Sequence, residues 1–138
     1  AVPSIKEYAS WYCDLSHINT ISSEQMEPIP LGKNVTYRPG KKMIKRTTSP
    51  VVYLVQIHAV LRSIASEMTA RILGGTEWAK TISDIPNTLF SEYTLGEEIH
   101  FEDASYPELF ISTHKYPSAE MNIQGYPDPG TTVDTFCL

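Results

Sequence analysis

Leu54, Ile57, Leu61, Ile64, Met68 and Ile72 recur at intervals of 3, 4, 3, 4 and 4 residues, the spacing that lines up one face of an α-helix. Ser49-Pro50 ahead of this run supplies a cap and a first-turn proline, and Gly74-Gly75 behind it supplies a left-handed stop. The pattern therefore predicts one main helix over residues 49–74, with Gly74 as its terminator. Its polar face would carry Arg62, Ser66, Glu67 and Arg71, the Glu67 to Arg71 spacing permitting an ion pair. The opening segment Val51-Val52-Tyr53-Leu54-Val55 is β-branched and could start as strand.

Elsewhere the apolar runs are short and are separated by Pro28, Pro30, Pro39-Gly40, Pro86, Pro107, Pro117 and the Pro/Gly-rich stretch 125–130. Strands are predicted over 34–38, 43–46, 89–95, 98–102, 109–113 and 131–136. In the fourth of these, Ile99 and Phe101 alternate with Glu98, His100 and Glu102, as on a half-buried strand. One main helix packed on an antiparallel sheet places the chain in the α+β class. With 138 residues, 41% of them hydrophobic, and no internal repeat, residues 1–138 are expected to form a single globular domain with one core.

Charge adds an asymmetry to this picture. The net charge is −5, but from Glu77 onward eleven acids face only Lys80 and Lys115, a net of −9 that leaves +4 on the part before it. Lys33, Arg38, Lys41, Lys42, Lys45 and Arg46 fall in one stretch free of acids, a candidate binding ribbon for an anionic partner such as RNA or a lipid headgroup. Tyr37 is the sole aromatic residue interleaved there, which favours the alternative of a solvated charged hairpin.

The two cysteines, Cys13 and Cys137, stand near opposite ends, without the close pairing of a zinc or thioredoxin-like motif. They are expected to form a disulfide in an oxidising compartment, buried free thiols being the alternative. Closing so long a loop would contribute about 4 to 5 kcal/mol by restricting the unfolded chain. The start Ala1-Val2-Pro3, without Met, is that expected of a secreted chain after removal of its signal peptide. Asn34-Val35-Thr36 is a glycosylation acceptor triplet on Asn34. The longest apolar run, 51–61, contains Gln56 and His58 and is too short for a membrane span.

Candidate chemistry rests on four histidines, His17, His58, His100 and His114, none of them in a recognised motif. His100 and Glu102 share one face of their predicted strand, where an imidazole and a carboxylate could act on a ribose hydroxyl and its leaving oxygen. Arg46 or Arg38 would then neutralise the phosphate, completing the set that RNA cleavage through a cyclic phosphate requires. The plainer reading makes His100 and Glu102 the wet face of an edge strand. His58 borders the apolar stripe, and His114 precedes a turn at Pro117. No H-E-x-x-H motif, Asp-rich calcium loop or dense His cluster occurs, so neither a metal nor a cofactor is expected.

Trp11-Tyr12-Cys13, with the partner Cys137 next to the last residue, resembles the [Tyr/Phe/Trp]-x-Cys pattern of small secreted effectors of powdery mildews and related biotrophic fungi. That resemblance implies a ribonuclease-T1-like fold, with one helix against a curved antiparallel sheet and the ends joined by the Cys13–Cys137 bridge. It further implies a virulence protein of a plant pathogen, extracellular or delivered into host cytoplasm, without catalysis. Such a protein acts by binding a host protein or RNA, or is detected by an immune receptor. The chain departs from the family in its long stretch between Cys13 and the predicted helix, and a ribonuclease His, Glu, Arg, His set does not align onto it. The alternatives are an active secreted ribonuclease or ribotoxin, and a secreted toxin or adhesin that binds a receptor or glycan.

Overall fold

A computed structural model describes residues 1–12, 14–16, 18–40 and 43–102. Cys13, His17, Lys41, Lys42, His114, Cys137 and the predicted strands 109–113 and 131–136 lie outside the described residues. The fold is α+β, with few helices and a mixed five-stranded sheet.

Helix α1 (Ile5–Trp11) starts at Ser4, whose hydroxyl accepts the Lys6 N–H at 3.1 Å. A single-turn helix, α2 (Ser23–Met26), is held by reciprocal bonds between Ser22 and Gln25, a complete capping box. Around α2 the chain runs over the surface, leaving Leu15, Ile18, Ile21, Met26, Ile29 and Leu31 exposed. Strand β1 (Met43–Arg46) has the predicted bounds. Residues 34–38, predicted as a strand, join none of the five described strands, although Thr36 and Tyr37 are buried.

The predicted main helix is the principal correction. Residues 49–74 instead form strand β2 (Val52–Gln56), a tight turn over Ile57–Ala59, strand β3 (Val60–Ser63) and an eight-residue helix, α3 (Glu67–Gly74). The physical reason lies in burial on two faces. Val52 and Leu54 face one layer while Tyr53 and Val55 face the other, so the strand reads as a continuous apolar run that a helical template also fits. The stripe is dispersed: Leu54 and Leu61 enter different clusters, Ile57 sits at the turn, and Met68 and Ile72 are exposed. Ser49 caps no helix, its hydroxyl accepting the Val51 N–H at 3.3 Å in the β1–β2 turn. Helix α3 is capped by Ser66, which accepts from the Thr69 N–H, and it stops at Gly75 (φ 78°), one residue beyond the predicted glycine.

Strand β4 (Ser83–Ile85), helix α4 (Asn87–Phe90) and strand β5 (Thr94–Leu95) complete the order β4-β1-β2-β3-β5. The inner pairings β1–β2 and β2–β3 are antiparallel, but the edge pairings β1–β4 and β3–β5 are parallel, so the expected antiparallel sheet is mixed. Parallel neighbours need crossovers, and the two available segments lie on opposite faces. The β3-to-β4 connection carries α3 and Trp78 over a face built from Met43, Leu54, Ala70 and Ile99. The β4-to-β5 connection carries Phe90 and Tyr93 over the other, built from Tyr37, Ile44, Tyr53, Val55, Leu61 and Ile85. Each fully buried aliphatic side chain here contributes roughly 1.5–3 kcal/mol. The predicted strand 98–102 is reduced to one parallel bridge, Ile99 to Ile64.

The N-terminal segment closes the second face through polar groups as well. Trp11 Nε1 donates to the Thr36 carbonyl at 2.9 Å, and the buried Ser10 hydroxyl donates to Glu7 O at 2.7 Å while accepting the Arg38 N–H at 3.0 Å. The Tyr93 hydroxyl accepts the Tyr37 N–H at 3.0 Å. Burial pushes the Tyr93 phenol far above its ordinary value, against the opposing pull of that hydrogen bond. Tyr37 is raised by burial first and by the Glu7 carboxylate second.

Candidate functional site

The candidate ribonuclease residues are dispersed. Ile99 bridges Ile64, Ile64 bonds Val52, and Val52 pairs with Lys45, so a single row across the sheet separates His100 from β1. Three strand spacings of about 4.8 Å put the two ends of this row roughly 14 Å apart. Arg46, next to Lys45, turns to the face opposite Ile99 and lays its guanidinium 4.7 Å from the centre of the Phe90 ring. Arg38 sits with its guanidinium 5.7 Å from the Trp11 ring. A Glu98 carboxylate oxygen stands 3.8 Å from His100 Nε2, while Glu102 lies in an exposed turn. His58 is exposed at the β2–β3 turn with φ 60°.

Strand β1 also divides the last two cations of the basic stretch. Lys45 and Arg46 are consecutive on β1 and so project to opposite faces. Lys45 reaches Asp84 on the neighbouring strand at 2.7 Å, which neutralises it locally. Lys33 is exposed, and its carbonyl accepts the N-terminal ammonium at 2.8 Å. The Asn34 side-chain amide donates to Glu92 at 3.3 Å, and Thr36 of the same acceptor triplet is buried. Among the described residues no group of three or more His, Cys, Asp or Glu could hold a metal ion, and no helix is long and apolar enough to cross a membrane.

What the fold does assemble is a groove of about 610 Å³ at the end of the sheet where β2 begins and β3 ends. Val52 from β2, Ile64 just past the end of β3, Ala70 from α3 and the half-buried Trp78 supply apolar walls, all four belonging to the cluster under α3. Ser63, Ser66 and Glu67 contribute polar groups where the chain passes from β3 into α3, and Glu98 and Leu95 contribute from the β5 side. Glu67 and Glu98 thus line a largely apolar, aromatic concavity, and among its described lining residues none is Lys or Arg. The volume lies in the range typical of small-ligand or side-chain sites.

The Glu67 carboxylate is bound only loosely. Glu67 shares an exposed i,i+4 pair with Arg71 at 2.8 Å, the kind worth about 0.3–0.5 kcal/mol. Arg62 donates to the Glu97 and Glu98 carbonyls at 2.8 and 3.3 Å, tying down the backbone that presents the Glu98 carboxylate. Gly96 lets this segment approach β3 closely: a Cβ there would stand 2.7 Å from Val60 Cγ1. Sequence reasoning flagged Glu67 only as an intrahelical partner and Glu98 only as a wet-face residue, and it passed over Trp78. Their convergence depends on α3 folding back over β2, which no local pattern reports.

No protein-family model matches the chain, and neither a curated protein nor a solved structure is similar to it.

Proposed function

We propose that the chain is a secreted effector-type protein that works by binding a host protein and does not itself cleave RNA. The aromatic-x-Cys resemblance at Trp11-Tyr12-Cys13 motivates the compartment, the Cys13–Cys137 bridge and the ribonuclease-like fold. The observation that carries the choice of a protein partner over RNA is the divergence of Lys45 and Arg46 at the end of the basic stretch. A phosphate backbone needs a continuous row of cations. Here Lys45 and Arg46 point to opposite faces, Lys45 is paired with Asp84, and Arg46 is stacked on Phe90. The groove beside Trp78 carries carboxylates that repel phosphate, while its apolar walls suit a protein side chain.

Two measurements on the purified chain test the reading. Labelled single-stranded and duplex RNA should show no micromolar binding by anisotropy at low salt, and the RNA should stay intact. A photo-crosslinking residue at exposed Leu95, on the groove rim, should yield one discrete host-protein adduct that unlabelled protein competes away. Salt-dependent RNA binding weakened by Lys45→Ala, or cleavage abolished by His100→Ala, would overturn the reading in favour of a ribonuclease or RNA-binding protein. A competed adduct to glycan alone would overturn it in favour of an adhesin.

A further inference from the structure

We infer that the groove recognises a lysine or arginine side chain presented by the partner; this rests on the protein-binding reading and names the chemistry of its site. The argument is one of complementarity between a chemically two-part cavity and a two-part side chain. Val52, Ile64 and Trp78 provide an apolar and aromatic surface for an alkyl stem, which Lys and Arg bury readily while their charged heads stay polar. Glu67, from the first turn of α3, and Glu98, from the segment bridged to β3, provide carboxylates for the head. Trp78 adds attraction between its ring face and a cation.

Arg71 and Lys45 leave this role open. Arg71 holds Glu67 through a pair exposed on both sides, which a cation entering a more desolvated groove can displace. Arg62 donates to the Glu97 and Glu98 carbonyls, and Lys45, in the same row as Val52, is held by Asp84. His100 approaches Glu98 from outside the lining. An anionic or neutral side chain of equal length would meet the same apolar walls without the two carboxylate contacts, so charge decides the selectivity.

The test uses the full chain with capped tripeptides Gly-Arg-Gly, Gly-Lys-Gly, Gly-norleucine-Gly and Gly-Glu-Gly, followed by amide and indole NMR shifts up to about 10 mM peptide. Of the two tryptophans, Trp11 is buried and bonded to Thr36, so the Trp78 indole reports the groove. The Arg and Lys peptides should shift Trp78, Ile64 and Glu98 saturably, with the norleucine peptide about tenfold weaker or worse and the Glu peptide silent. The double change Glu67→Gln with Glu98→Gln, both at exposed positions, should weaken the Arg peptide about tenfold and leave norleucine unchanged. Equal shifts from the norleucine peptide, or no saturable shift at Trp78 from any peptide, would overturn the inference. A competed host-protein adduct without peptide shifts would defeat this assignment alone. Peptide shifts without any protein adduct would defeat the functional reading instead.

Discussion

Replacing Gly96 by Ala perturbs the point where the β5 segment runs against β3. The added methyl would stand 2.7 Å from Val60 Cγ1 and 3.3 Å from Arg62 Cγ, the first contact shorter than real Cβ atoms show. Val60 is β-branched and stiff at χ1, so it cannot swing away without leaving its preferred rotamer. Its neighbour Leu61 is fixed by complete burial and by accepting the Gly96 N–H at 2.8 Å. The strand must therefore shift, and overpacking of this kind costs about 1–3 kcal/mol. Gly32→Ala is the matched control: nothing lies within 4 Å of its added methyl, and the substitution should be neutral or stabilise by up to about 1 kcal/mol through the unfolded chain. Val60→Ala removes the clashing methyl, so the double variant Val60→Ala with Gly96→Ala should be more stable than the sum of the single effects, by about 0.5 kcal/mol or more. Urea unfolding with an unchanged m-value measures the four variants against the unsubstituted chain. Equal midpoints for the Gly96 and Gly32 variants, or strict additivity in the cycle, would refute the steric argument.

Other consequences follow from single features of the fold. Ala59 has φ 57° at the tip of the β2–β3 hairpin, so Ala59→Gly should stabilise by roughly 1 kcal/mol, seen as a higher urea midpoint. Tyr93 holds its proton in the folded state far above the ordinary phenol value of 10.0, whereas the unfolded chain releases it near that value. The unfolded state then binds fewer protons, so stability is full below about pH 10 and falls as pH rises beyond it. Tyr93→Phe should flatten this alkaline limb while lowering stability at neutral pH by about 1–3 kcal/mol, because the Tyr37 N–H loses its acceptor. With Cys13 and Cys137 bridged as proposed, dithiothreitol should lower the melting temperature markedly, since about 4 to 5 kcal/mol of chain restriction is removed. An identical melt before and after reduction would count against the bridge.

Some of this architecture is written locally in the chain. The bounds of β1 follow from Met43 to Arg46 as a short run free of helix-stabilising spacing, and the Glu67–Arg71 pair follows from an interval of four residues. The α+β class follows from short punctuated runs beside a helical pattern. The segment 49–74 was ambiguous for a physical reason: a strand buried on both faces loses the alternation that distinguishes it, and its apolar residues then satisfy a period near 3.6. Only contact with β1 on one side and β3 on the other selects the strand for Val52–Gln56. The parallel edge strands are equally invisible in sequence, because β4 and β5 gain their partners only after crossovers over opposite faces. The groove depends on the same event, since Trp78, Glu67 and Glu98 come from three separate segments that meet when α3 and the β5 segment close on the sheet. Local spacing specifies which short elements are available. Long-range burial decides which of them form and what chemistry they bring together.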